Sequence, residues 1–336
     1  MVSISDVAAL AGVSPTTVSH ALSGKRPVSP ALRGRVTEAM RNLGYAPSRT
    51  AQNLALGTTR IIALVVPDIG NGYFAELAKG VEATAVDRGY NVILCTTGFD
   101  HEREVQYLGM IRSRAVDGLV YAAGAPPTDP ELAQLLGDVP LIFVDEEIPG
   151  TTSGSIVSDN YEGGRQVAHH LLELGHRSAL VLSVEGAPVT SERRVAGFND
   201  AWAAAGMPTP LAGQGQYTEE RGRLAVRPHL KALRDGVATA VFATNDLMAL
   251  GVMNELRTAG IDVPREVSVV GFDDSPAAHY SYPGLTTVRQ DVLGLGERAT
   301  NSLIDALERL ERPSPEQIKL PVELIVRQTT APRRSA

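Results

Sequence analysis

Two groups of polar residues in this chain have types and spacing that suit recognition chemistry. Near the N-terminus, Thr16, Thr17, Ser19 and His20 follow Ser14-Pro15 on one predicted helix, offering short hydrogen-bonding side chains beside apolar Val18 and Leu22. Such a face suits phosphate oxygens and base edges once the helix lies in a major groove, although a polar solvent face has the same pattern. The second group is scattered: Asp68 through Phe74, Asp145, Asp159, Asn245-Asp246 and Asp273-Asp274 each follow an apolar, strand-like run. Carboxylates and amides gathered there can exchange hydrogen bonds with a hydroxylated or amidic ligand, and Phe74 and Tyr217 could stack on a ring face. Any one of them could equally be a helix N-cap. Asp246 before LMALG and Ser191 before ERRVAGF both read as caps.

The elements that would carry the first group are short helices. Ser5 reads as an N-cap, Gly12 as a stop, and Ser14-Pro15 as the start of a second helix that ends near Gly24. Two short helices joined by a Gly-containing turn make a helix-turn-helix. A third helix from Ser29-Pro30 to Gly44 presents Leu32, Val36, Met40 and Leu43 as a packing stripe. Residues 1–60 hold seven Lys/Arg against two acids, a charge of +5, which leaves −12 for the rest of a chain whose net charge is −7. A basic module on an acidic body is the footprint of a nucleic-acid binder.

From residue 61 onward, apolar runs alternate with helical stretches: Ile61–Val66, Asn91–Cys95, Gly118–Tyr121, Leu141–Val144, Ala179–Leu182, Ala240–Ala243 and Val267–Gly271. Continuous rather than alternating apolarity predicts parallel sheets covered on both faces. There are too many strands for one sheet, so two doubly wound lobes are expected. Ligand then belongs beyond the strand C-termini, between the lobes.

Other chemistries fit less well. Residues 70–75 imitate a dinucleotide fingerprint, but the next strand ends in Cys95-Thr96-Thr97-Gly98 without the acid that would hold a ribose. His169, Glu173 and His176 invite a zinc reading, but Gly175 should break their shared face, leaving His176 at a surface helix end. Trp202 reads as packing against Phe198. Nucleophile elbow, P-loop and HExxH motifs are absent, so neither an enzyme nor a cofactor is expected. Cys95 is the sole cysteine among 336 residues, so no internal disulfide can form. The opening MVSISDVAAL lacks the basic start and apolar run of a secretory signal, and no run approaches the ~20 apolar residues of a membrane span. A cytoplasmic location is expected.

The run ISDVAALAGVSPTTVSHALSGKRPVSPALRGRVTEAMRNLGYAPSRTAQNLA resembles the headpiece of the lac-repressor (LacI/GalR) family. The resemblance continues to about residue 330 through YFAELAKGVE, VDGLV, GHRSA, RRVAGF, AVFATNDLMALGVMNEL, VPREVSVVGFDD and LTTVRQD. It implies a helix-turn-helix domain over residues 1–46, a hinge helix or linker over 47–60, an effector-binding and dimerisation domain over 61–330, and a tail over 331–336. The fold implied for 61–330 resembles periplasmic sugar-binding proteins, with an N-lobe of about 61–159 and 292–320, a C-lobe of about 160–291 and 321–330, and crossings near 160, 291 and 320. Thr16 and His20 match base-reading positions, Pro15 can touch a thymine methyl, and Thr17 and Ser19 match phosphate-contacting positions. Arg49 and Asn53 join the DNA-binding set. Leu54 matches the leucine that wedges into the minor groove from a hinge helix formed on DNA. Arg194, Asn245 and Asp273 match residues that hydrogen-bond effector, Tyr73 and Phe74 match the N-lobe wall, and Asp159 and Tyr217 are carried over with them. Family members often have proline where Gly72 stands.

The reading is thus a homodimeric repressor of double-stranded operator DNA, controlled by a sugar-like or purine-like effector whose binding closes the cleft and alters whether the hinge helices order on DNA. The rivals are a carbohydrate receptor with an appended helical bundle and an enzyme on a Rossmann-like scaffold.

Overall fold

A computed structural model describes residues 2–23, 26–45, 58–146, 148, 151–184, 186 and 188–333. Contacts divide the chain into two compact units, Met1–Ile61 with Arg114–Asp117, and Ile62–Ser113 with Gly118–Ala336.

The first unit holds α1 (Ile4–Ala11), α2 (Pro15–Ser23) and α3 (Pro30–Leu43). The cap of α1 is Ser3 rather than Ser5: its hydroxyl accepts the Asp6 N–H while the Asp6 carboxylate reaches back to the Ser3 backbone, forming a capping box. Ser14 and Ser29 cap the next two helices through Thr17 N–H and Leu32 N–H. Gly12 and Gly44 end α1 and α3 in the left-handed conformation. Val7, Ala8, Ala11, Val18, Val36 and Ala39 form the core, with Ala21, Leu22, Met40 and Leu43 packed against it. In the same unit, Asp117 accepts the backbone N–H groups of Thr59 (2.7 Å) and Arg60 (2.8 Å) and the Thr59 hydroxyl (2.9 Å), fastening the chain just before the second unit.

The second unit has two six-stranded sheets. Sheet A contains β1 (Ile61–Val66), β2 (Asn91–Thr96), β3 (Gly118–Tyr121), β4 (Leu141–Val144), β5 (Ser155–Ser158) and, from far along the chain, β11 (Gln317–Leu320), in the order β11-β5-β4-β3-β1-β2. Sheet B contains β6 (Ala179–Val184), β7 (Leu211–Gly215), β8 (Ala240–Ala243), β9 (Ser268–Asp273), β10 (Thr286–Gln290) and β12 (Val322–Ile325), in the order β12-β10-β9-β8-β6-β7. Pairing is parallel from β11 through β5, β4 and β3 to β1 in sheet A and throughout sheet B, except that β12 runs antiparallel to β10. The chain passes from one sheet to the other between 158 and 179, between 290 and 317, and again between 320 and 322.

Helices α4 (Gly72–Asp87), α5 (His101–Met110) and α6 (Asp129–Leu136) connect the strands of sheet A, and a π-helical turn, Ile111–Ala115, follows α5. The links of sheet B are α7 (Asn160–Glu173), α8 (Val189–Ala204), α9 (Glu219–Val226), α10 (Leu230–Arg234), α11 (Asp246–Thr258) and α12 (Pro276–Tyr280). The long α13 (Val292–Arg309) returns to sheet A, where Leu295, Ala299, Leu303 and Ile304 join Leu77 and Val81 of α4 in one core.

The short or polar strands β5, β7, β10, β11 and β12 escape a search for long apolar runs, because TTVRQ and LAGQG gain their strand character from neighbours. Two expected caps are displaced. Ser191 lies inside α8, and Asn245, not Asp246, caps α11 by accepting the Met248 N–H at 2.9 Å. His176 is not at a surface helix end: it is 3% exposed, its ring bonded to Thr239, Ser268 and the Ala331 carbonyl. Burial holds its pKa down at about 4, so the ring is neutral. Trp202 is buried, stacked on Phe198 with ring centroids 5.2 Å apart.

Candidate functional site

In both sheets the strand order reverses direction beside the first strand, between β1 and β3 in one and between β6 and β8 in the other. Crevices form at such switch points because successive helices leave on opposite faces. One cavity opens there. The β1 and β3 ends supply Pro67, Asn71, Ala123 and Gly124; the segments after β6 and β8 supply Pro188, Thr190 and Asn245.

Six of the seven residues expected at an effector site line this cavity: Tyr73, Phe74, Arg194, Tyr217, Asn245 and Asp273. Asp159 does not. Its carboxylate accepts the Glu162 N–H at 3.1 Å and caps α7. The neighbouring Asn160 is the one that touches the constellation, accepting from Arg194 Nε at 2.7 Å. A polar residue after a strand marked the right corner, but only the turn into α7 decides which of two adjacent side chains faces inward.

Arg194 anchors the floor. Its Nη1 donates to the Thr244 carbonyl at 2.6 Å and to Asp273 Oδ1 at 3.4 Å, and the guanidinium carbon lies 3.9 Å from the Phe272 ring centroid. Burial works against this charge, but the carboxylates of Asp273 and Asp145 hold the proton on. Gln290 Nε2 holds Asp273 from the other side at 2.8 Å. Burial pushes the Asp273 carboxyl well up, with Arg194 opposing. On the facing lobe Tyr73 donates its hydroxyl to Asp145 Oδ1 at 2.5 Å; burial raises both groups. Asp246, beside the cavity, accepts from Thr287 Oγ1 and Ser275 N–H, yet burial still lifts it to about 6.

Arg194 reaches this place because α7 and α8 cross without side chains between them. A Cβ on Gly164 would lie 2.0 Å from the Arg194 carbonyl oxygen, and one on Gly197 would lie 1.9 Å from that of Tyr161. Gly72 is the first residue of α4, where proline's missing N–H costs nothing, and a Cβ there would meet only Pro276 at 3.5 Å. The glycine therefore leaves the wall open to either residue.

Phe99, Glu146 and Thr190 line the cavity without having been anticipated. Phe99 adopts a positive φ of 58° and lies 6.4 Å from Tyr217, centroid to centroid. Its position after Thr96-Thr97-Gly98 was the available signal.

In the first unit, Pro15 and Thr16 are exposed on α2, Thr17, Ser19 and His20 partly so, and Val18 is buried. The Thr17 hydroxyl is 2.8 Å from that of Ser14 at the head of the helix. Arg49, Asn53 and Leu54 lie outside the described residues. Among the described residues no group of three His, Cys, Asp or Glu gathers as a metal site, and no helix is long and apolar enough to cross a membrane.

A helix-turn-helix unit and a two-sheet unit with a lined crevice define a DNA-binding regulator built on a ligand-binding scaffold. The description "Bacterial regulatory proteins, lacI family" matches residues 3–48, and "Periplasmic binding protein-like domain" matches 168–330. The chain is 33% identical to the HTH-type transcriptional regulator DegA of Bacillus subtilis over 98% of both chains. Among solved structures, a lac repressor dimer bound to operator and the anti-inducer ONPF superposes with a TM-score of 0.83 at 28% identity, covering 98% of this chain and 99% of that one. A LacI family regulator from Enterococcus faecium with bound ribose gives 0.72 at 31% identity, covering 82% of this chain and all of that one. This chain belongs to the lacI family of bacterial transcriptional regulators.

Proposed function

We propose that the protein is a homodimeric repressor that reads operator DNA through α2 and is controlled by an uncharged, polyhydroxylated effector, a sugar or close derivative, in the cavity around Arg194. The observation that carries the effector class is the lining charge. Asp145, Glu146 and Asp273 face a single guanidinium, with Phe74, Phe99 and Tyr217 as ring faces. An anion placed among buried carboxylates would raise their proton affinity further, whereas hydroxyl donors stabilise their charged forms. The ribose-bound relative supports the same choice. Thr16 and His20 are proposed to read base edges, Pro15 a thymine methyl, and Thr17 and Ser19 phosphates; Arg49, Asn53 and Leu54 complete the DNA contacts. The protein works by binding, without catalysis, in the cytoplasm. Two-fold symmetry would match the two halves of a palindromic operator.

The test is calorimetric titration of the full chain with D-ribose, cellobiose, ribose 5-phosphate and hypoxanthine, followed by operator gel shifts with and without the binder. A neutral sugar should bind and change operator affinity, and Asp273→Ala should abolish the response while leaving apo operator binding intact. Binding of the phosphate ester alone, or an unchanged response in Asp273→Ala, would overturn the effector assignment.

A further inference from the structure

Helix α8 starts differently from the others around the cavity. The N-termini of α4, α7 and α11 are capped by their own Asn71, Asp159 and Asn245 side chains. The N-cap of α8 is Pro188, which has no side-chain acceptor. The missing cap comes from the facing lobe. Thr190 N–H donates to Glu146 Oε1 at 3.1 Å, and Thr190 Oγ1 donates to Glu146 Oε2 at 2.7 Å. Glu146 follows β4 of sheet A, whereas α8 follows β6 of sheet B. Both residues line the cavity and are almost fully buried, at 6% and 3% exposure.

The geometry of the β4 exit explains how Glu146 reaches across. Asp145 has a φ of 71°, and the Glu146 N–H turns back to the Val144 carbonyl at 2.8 Å, forming a tight γ-turn. Asp145 bonds Tyr73 in its own lobe, and the next residue bonds the opposite one. A carboxylate at the positive end of a 16-residue helix gains from both charge-assisted hydrogen bonds and the helix dipole.

We propose that Glu146 is a positioning residue that latches the two lobes together by capping α8 across the cleft, and so sets how much of the protein is closed and ready to hold effector. Opening the lobes strips the first turn of α8 of this partner. The apparent effector dissociation constant varies inversely with the closed fraction. Only that last step rests on the effector reading above; the latch itself is measurable without any effector.

Spin labels at Ala83→Cys on α4 and Ala204→Cys at the end of α8, both exposed positions, report the lobe separation in a full-length Cys95→Ala background. With the doubly labelled chain diluted into excess unlabelled chain, so that distances within one protomer dominate, the parent should show one distance population. Glu146→Ala should raise the open fraction at least threefold and speed amide exchange in the 188–193 segment about tenfold. Thr190→Val, which keeps the N–H and loses the hydroxyl, should do less, and the double variant should open no further than Glu146→Ala alone. The isosteric Glu146→Gln should fall between parent and alanine, and it stands in if the alanine variant does not fold. Unchanged distances in a folded Glu146→Ala or Glu146→Gln chain, or fully additive opening in the double variant, would overturn the latch. A failed sugar titration would remove the effector reading while leaving these distances to decide the latch.

Discussion

His176 shows how much a single side chain's chemistry depends on its surroundings. Its two ring nitrogens are spent on Thr239, Ser268 and the Ala331 carbonyl, and burial keeps the ring neutral, with a pKa near 4 against an ordinary 6.5. In the unfolded chain it takes a proton below about 6.5, while the folded ring resists until about 4. Its contribution to stability is therefore present above pH 6.5 and is lost as pH falls towards 4. The spacing of His169, Glu173, Gly175 and His176 cannot reveal this, because the partners come from residues 239, 268 and 331. The melting-temperature advantage of the parent over His176→Gln should be largest near pH 7 and shrink on acidification to pH 4.5, a change of up to about 3 kcal/mol. A constant advantage across that range would mean the ring titrates as in water. Asp159 and Asn160 teach the same lesson at the cavity, where adjacent polar residues divide into a helix cap and a partner of Arg194.

Among the elements, the crossing of α7 and α8 leaves no room for a side chain. Gly164 and Gly197 place backbone against backbone, and the carbonyls they meet belong to Arg194 and Tyr161. A methyl group at either position must push the helices apart, moving the segment that carries Arg194. Gly197→Ala should destabilise the second unit by about 1–3 kcal/mol, read as a lower denaturant midpoint, and should weaken sugar binding more than Gly251→Ala weakens it, although Gly251 makes an equally tight crossing with Glu219. In the first unit, Ser3→Ala removes one arm of the α1 capping box and should cost about 1 kcal/mol, detectable as a lower melting temperature of the DNA-binding unit without change in the cavity. A loss at Gly197→Ala matched by Gly251→Ala in sugar affinity would show that the crossing acts on stability alone.

For the whole molecule, the partition of charge matters more than its sum. A +5 segment ahead of a −12 remainder makes a net acidic protein that nonetheless presents a basic end to DNA. Release of counterions from the duplex then makes affinity fall steeply with salt. Operator affinity of the full chain should drop at least a hundredfold between 50 and 200 mM salt. Thr16→Ala should alter the preferred base at one operator position, at a cost of about 1–3 kcal/mol, and leave the salt slope unchanged. A parallel change in slope would reassign Thr16 to phosphate contact.

The amino-acid order alone determined the three headpiece helices, because their signals are local: capping hydroxyls, terminal glycines and an apolar stripe within forty residues. It also determined the lobe architecture and the buried strands β1, β3, β4, β6, β8 and β9, since continuous Val/Ile/Leu runs require two covered faces; β2 departs from that expectation, because Ile93 and Leu94 are exposed at the edge of sheet A. Tertiary structure decided whatever depends on partners distant in the chain. β10, β11 and β12 become strands through pairing rather than their own apolarity, and Glu146 meets Thr190 only because two sheets face one another. Hydrogen bonds and burial act over a few ångströms in space, and local sequence carries little record of which residues that distance will join.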